Sequence, residues 1–155
     1  MKTIIIAPYA KRLKTNKENP KNYPYWPGLV AMLRETCNVV QIAVTGEAVI
    51  PGVSKVAIDL KMREIESMTQ SCDTWVSVDS FLQHMVNCCG KKPGTVIWSL
   101  SDPSIFGYGY NLNVLKDRAR LKRFQFGIWE ECEYDADAYM PADAVYALMR
   151  SRFGV

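Results

Sequence analysis

Short, β-branched apolar runs narrow most sharply what this chain can fold into. Thr3–Ala7 (TIIIA), Val39–Val44 (VVQIAV), Val56–Leu60 (VAIDL), Asp73–Val78 (DTWVSV) and Thr95–Leu100 (TVIWSL) are each too short for a helix. They are also too continuously apolar for strands with one wet face. Such runs are strands buried on both sides, which occur in parallel sheets covered by helices. Helical spacing falls between them. Trp26, Leu29, Val30 and Leu33 repeat at helical intervals from about Tyr25, with Pro27 in the first turn, where proline is tolerated. Met62, Ile65 and Met68 do the same within Lys61–Ser71, and a helix over Ser80–Cys89 opens directly behind the fourth strand. Pro141–Arg152 reads as a last amphipathic helix, with Val145, Leu148, Met149 and Phe153 on one side. The region 101–135 reads as irregular, with one further strand expected at Arg123–Ile128. Strands alternating with helices give right-handed βαβ units and a single Rossmann-like, doubly wound, mostly parallel α/β sheet. One domain over residues 1–155 is expected, because halving 155 residues would leave each part too thin for a core.

Composition removes several classes. Hydrophobic residues at 48% and charged residues at 23% exclude wholesale disorder. No apolar run approaches the roughly 18–20 residues that span a bilayer. The start, MKTIIIAPYA, is followed at once by Lys11, Arg12, Lys14 and Lys17, where a leader would have small residues, so it reads as a buried strand and not as a leader. A cytoplasmic location is expected. The five cysteines form no CxxC pair and there is a single histidine, His84, which argues against a finger-type zinc site and a disulfide framework. Cys88 and Cys89 are expected to be small buried residues, and neither a metal nor a cofactor is expected.

A net charge of +3 is too small to diagnose nucleic-acid binding, but its distribution is informative. Residues 1–25 hold Lys2, Lys11, Arg12, Lys14, Lys17 and Lys21 against Glu18 alone. Residues 116–123 (KDRARLKR) are basic, and 130–143 are acidic with no positive residue. The 116–123 block is either a solvated face or a phosphate-contacting patch, and a nucleic-acid role for it rests on charge alone. The polar loop from Tyr9 to Pro24 is long for a mere connector, which points to a functional or mobile segment. Doubly wound sheets bind ligands at the carboxyl ends of their strands, where strand order reverses. The loop after strand one and the turn after strand four are therefore the places to look.

At the second of these stands Val76-Ser77-Val78-Asp79-Ser80-Phe81-Leu82-Gln83-His84. Asp79 or Ser80 can cap the following helix, whose free N–H groups and dipole form an anion site. His84 lies one turn past Ser80, within reach of a phosphate bound there. A plain helix cap explains Asp79 equally well, and a satisfied, partly buried residue explains His84. Taken together at a strand end, they point to a phosphate or diphosphate site. Ser101-Asp102-Pro103-Ser104-Ile105-Phe106-Gly107, after strand five, is a turn placed to close over such a ligand.

These residues resemble the carboxyl-terminal half of the heptosyltransferases of glycosyltransferase family 9. The order is an apolar strand, Asp79-Ser80, then His84, a helix running to Gly90-Lys91-Lys92-Pro93, and a strand leading into Ser101-Asp102-Pro103. Val44-Thr45-Gly46-Glu47, Ile58-Asp59-Leu60 and Trp26-Pro27 fall at the family's corresponding turns. The likeness covers most of residues 1–110. It implies a site for a nucleoside diphosphate sugar, taken as substrate. Asp79, Ser80, Phe81 and His84 would flank the diphosphate, with Ser101 and Asp102 closing over it. One of Lys14, Lys17 and Lys21 would neutralise it, and Glu47 would lie near the nucleoside. Two departures matter. Phe81 stands where the family has glycine, and the family's enzymes carry two such domains. The resemblance thus implies a glycosyltransferase-like chain that transfers the sugar as a homo-oligomer or with a partner chain. The rivals are a non-catalytic nucleotide-binding module and a small nucleotide hydrolase or transferase. The catalytic residue stays open, with Asp79 as a weak candidate for general base.

Overall fold

The computed structural model describes all 155 residues. Six parallel strands form one sheet in the order β3-β2-β1-β4-β5-β6. They are β1 (Lys2–Ala7), β2 (Cys37–Ala43), β3 (Lys55–Ile58), β4 (Thr74–Val78), β5 (Thr95–Trp98) and β6 (Leu112–Leu115). The chain winds outward from β1 to β3, returns to the centre, and winds the other way from β4 to β6. The reversal falls between β1 and β4, where Ile6 pairs with Val76 and Ala7 with Ser77. This is the Rossmann-like α/β sheet read from the sequence.

The helices divide between the two faces. Helices α1 (Trp26–Leu33) and α5 (Ala142–Phe153) cover one face, where Leu29, Leu33, Val145 and Met149 pack on Ile4, Ile6, Val76 and Ile97. Helices α2 (Met62–Ser71) and α3 (Phe81–Cys88) cover the other, where Ile65, Leu82 and Val86 meet Ile5, Trp75, Val96 and Trp98. The central strands are apolar throughout because both their faces are covered.

One crossover lacks a helix. Between β2 and β3 the chain is held instead by Gln41, whose side chain is fully buried. Its Nε2 donates to the Ala48 carbonyl at 2.9 Å, and its Oε1 accepts the Ile50 N–H at 2.8 Å. A single amide thus satisfies polar backbone that a helix would otherwise pair internally. At the far end, α5 stops at Gly154, whose φ of 66° is left-handed. Lys2 Nζ donates to the carbonyls of Phe153 and Gly154, joining the two termini.

Two expectations are corrected here. The sixth strand is Leu112–Leu115, and Arg123–Ile128 is a turn-bearing loop. Arg123–Ile128 alternates polar and apolar residues as a strand does, but Gln125 turns inward to fasten the loop while Arg123 stays exposed. Cys88 is exposed and Cys89 half-buried, because α3 turns Leu82, Met85 and Val86 inward. Of the two readings of the Tyr9–Pro24 loop, functional or mobile, the bonds at its two ends speak against mobility. Asn22 Oδ1 accepts the Ala10 N–H at 2.9 Å, and Asn19 Nδ2 donates to the Lys11 carbonyl at 2.7 Å. Trp26 Nε1 donates to the Pro8 carbonyl at 3.1 Å, so Trp26-Pro27 anchors the loop's return into α1.

Candidate functional site

A cavity of about 710 Å³ opens at the carboxyl ends of β1, β2 and β4, on the point where strand order reverses. Its volume lies in the range of sites that enclose small molecules. Ala7, Ile42 and Ala43 floor it, Leu60 and Ile65 wall it on the α2 side, and Phe81 stands at the mouth of α3. The remaining wall is polar and mainly cationic, with Lys11, Arg12, Lys14 and Lys21 from the basic loop and Glu47 from the turn after β2. Lys11, Arg12 and Lys14 take part in none of the chain's three ion pairs. The lining thus combines apolar residues with Lys11, Arg12, Lys14 and Lys21, which outnumber the carboxylates Glu47, Asp79 and Glu130.

Asp79 anchors the centre of this site. It is 5% exposed, at the end of a strand whose residues are all buried. Lys21 Nζ lies 2.8 Å from Oδ2, and Ser101 Oγ donates to the same oxygen at 2.9 Å. Gln83 Nε2 donates to Oδ1 at 2.9 Å. Neither carboxylate oxygen lacks a donor, so Asp79 clasps the basic loop, β5 and α3 together. It does not cap α3. The N-cap residue is Ser80, whose side chain makes no cap bond, and its buried Oγ has no partner. The first turn of α3 consequently reaches the cavity with no side chain closing it, and unpaired N–H groups there favour an anion.

Glu47 lines the cavity while its Oε2 accepts the Val44 N–H at 2.9 Å, which closes the turn around Gly46 (φ 93°). Asp59 steadies the same rim. It accepts the backbone N–H and hydroxyl of Thr45, at 2.9 and 2.5 Å, and these bonds hold its carboxyl below the ordinary carboxylate range. Burial, followed by the nearby charge of Glu47, pushes the Tyr9 hydroxyl up.

Of the residues singled out from sequence, Lys14, Lys21, Glu47, Asp79, Ser80 and Phe81 share this cavity. Lys17 lines a smaller neighbouring hollow of about 350 Å³ with Arg12 and Glu47. Ser101 lies behind the cavity, bound to Asp79. His84 and Asp102 are not brought to it. α3 buries Leu82, Gln83, Met85 and Val86, so position 84 faces outward, and its Nδ1 meets the Tyr108 hydroxyl at 2.9 Å. Asp102 caps α4 (Pro103–Phe106) through the Ser104 N–H at 2.8 Å and pairs with Arg118 at 2.9 Å. The Ser104 bonds and Arg118 hold its carboxyl below the usual range.

Trp129 and Glu130 also line the cavity, from a segment that sequence patterns did not connect to it. Lys21 and Lys122 each place Nζ 4.6 Å from the centre of the Trp129 ring, a cation–π arrangement that holds the indole at the site. The rest of the 116–123 block is largely engaged: Arg118 pairs with Asp102, Arg120 with Asp135, and Lys116 Nζ donates to the Asp137 carbonyl.

The doubly wound sheet is a glycosyltransferase-like fold by its likeness to two solved structures. E. coli heptosyltransferase WaaC with ADP superposes with a TM-score of 0.67 at 15% identity, over 97% of this chain and 44% of that one. TibC, an iron-containing dodecameric glycosyltransferase from enterotoxigenic E. coli H10407, gives a TM-score of 0.60 at 15% identity, over 91% and 37%. The chain thus spans less than half the length of either structure. No family profile and no curated protein matches the sequence. No helix is long and apolar enough to cross a membrane.

Proposed function

We propose that this cavity binds a nucleoside diphosphate sugar, with the chain serving as the donor-binding unit of a glycosyltransferase-like protein. The carrying observation is the mixed lining of the cavity. Leu60, Ile65 and Ile42 offer an apolar wall suited to a base, while Lys14, Arg12 and the open first turn of α3 line the same cavity. Two linked phosphates need cations and N–H donors gathered in a cleft. The WaaC structure that shares the fold was solved with ADP, which supports the same reading. Glu47, at the cavity edge, is placed to accept from ribose hydroxyls.

Transfer needs a second body to enclose the donor and exclude water. The chain is therefore expected to complete its cleft with a second copy or a partner chain, as the dodecameric state of TibC illustrates for that protein. The rival reading, a module that binds a nucleotide without turning it over, draws on Phe81. Its ring is 43% exposed at the entrance of α3 and narrows the approach to the helix N-terminus.

A thermal-shift panel tests the reading. A ligand that binds only the native state adds about 2.7 kcal/mol of stability at a hundredfold excess over its dissociation constant. Nucleoside diphosphates and their sugar conjugates should raise the melting temperature clearly, monophosphates less and nucleosides least. Equal shifts from nucleoside and diphosphate would contradict a diphosphate site. Binding without turnover by the assembled protein would favour the non-catalytic module.

A further inference from the structure

The loop that follows the basic block turns its side chains the opposite way from an ordinary surface loop. Lys122 and Gln125 point inward and fasten it, and Arg123 stays exposed. Gln125 Nε2 donates to the carbonyls of Leu100 and Lys122 at 3.0 and 2.6 Å, and its Oε1 accepts the Asp102 N–H at 2.8 Å. Lys122 Nζ donates to the Ile128 carbonyl at 3.1 Å, and the Gly127 N–H to the Phe124 carbonyl at 3.1 Å. The alternate residues are apolar and face water: Phe124 is 70% exposed, Phe126 83% and Ile128 58%. Phe126 has an edge-on neighbour in Phe106, at 5.4 Å between ring centres. Aromatic rings held in water by a tied backbone mark a contact surface.

Charge identifies what the surface fits. No acidic residue occurs from Arg118 to Trp129. Lys122 and Arg123 sit beside the rings without an ion pair, and the Arg123 guanidinium lies 5.3 Å from the centre of Phe124. Trp129 and Glu130, next along the chain, line the cavity opposite Lys11, Arg12 and Lys14, so the loop and those unpaired cations share one end of the sheet. Within the acidic segment that a second copy would offer, Asp135 is paired with Arg120 and Glu130 faces the cavity. Aromatic tips framed by lysine and arginine match a lipid interface, where rings settle at headgroup depth and cations meet anionic phosphates.

We propose that the Lys122–Ile128 loop is a membrane-surface anchor that seats Phe124 and Phe126 among the headgroups of an anionic bilayer. Docked in this way, the chain holds the mouth of its cavity at the lipid surface.

Co-sedimentation of the full chain with vesicles tests this. The chain should partition onto phosphatidylcholine vesicles containing phosphatidylglycerol and stay in solution with phosphatidylcholine alone. Phe124→Ser with Phe126→Ser should weaken the partition by about tenfold or more, since both rings lose their apolar burial. Its melting temperature should match the parent's, because neither ring is buried in the fold. Arg123→Gln should weaken binding to the anionic vesicles in a salt-dependent way. No partition at any composition, or undiminished partition of the double variant, would overturn the proposal. So would self-association that the double variant abolishes without any vesicle binding, which would assign the loop to a second copy of the chain.

Discussion

Asp79→Ala is expected to cost about 3–5 kcal/mol of folding stability, the range for removing one partner of a buried ion pair. Three donors lose their acceptor together: Lys21 Nζ, Ser101 Oγ and Gln83 Nε2. Ser101 is 2% exposed and Gln83 fully buried, so water cannot readily replace the carboxylate. Gln83 Oε1 already lacks a partner, and the substitution would leave that amide with none. Asp79→Asn should cost less, because the amide oxygen still accepts from one donor. Urea denaturation of both variants checks this. A loss near 1 kcal/mol in Asp79→Ala would instead be the signature of a simple helix cap.

Gly94→Ala should be the most damaging exchange of a single methyl group, at roughly 3 kcal/mol and about 6–12 °C in Tm. A Cβ at position 94 would overlap Cδ2 and Cε2 of the Trp75 indole. Neither side can retreat. Trp75 is fully buried among Ile5, Leu82, Val86 and Trp98, and its Nε1 donates to the Lys92 carbonyl at 2.9 Å. Gly94 is pinned too: its N–H donates to Asn111 Oδ1 at 3.1 Å, and its carbonyl accepts the Leu112 N–H at 2.9 Å. Calorimetric melting is the check. A melting temperature within a degree or two of the parent would mean that the ring has room the packing denies it.

The strands that were legible in the sequence are those that read as unbroken apolar runs, the buried β1, β2, β4 and β5 and also the edge strand β3, which is largely exposed. β6 escaped because Asn113 interrupts it. That amide is consumed inside the fold, accepting from Trp98 Nε1 at 2.9 Å and donating to the Tyr108 carbonyl at 3.0 Å, a use that pattern cannot signal. The site was legible where topology governs it. Glu47, Asp79, Ser80 and Phe81 follow strand ends closely, Lys14 and Lys21 come from the long loop after β1, and all six line the cavity at the reversal between β1 and β4. Spacing along α3 was a poorer guide. His84 counts one turn from Ser80, but Ser80 precedes the helix, and the burial of Leu82, Gln83, Met85 and Val86 turns position 84 outward. Trp129 carried no local signal, because its place depends on two lysines distant in sequence from each other.

The fold and the cavity make one central claim, that a diphosphate is held between the basic loop and the first turn of α3. Titration calorimetry with ADP, GDP, UDP and CDP, on the parent chain and on Lys14→Ala and His84→Ala, tests it most directly. At least one diphosphate should bind the parent. Lys14→Ala should weaken it roughly tenfold to a hundredfold, the worth of a hydrogen bond to a charged group. His84→Ala should bind as the parent does, because that imidazole faces Tyr108 outside the cavity. Absence of binding by all four diphosphates, or a loss in His84→Ala with none in Lys14→Ala, would contradict the account.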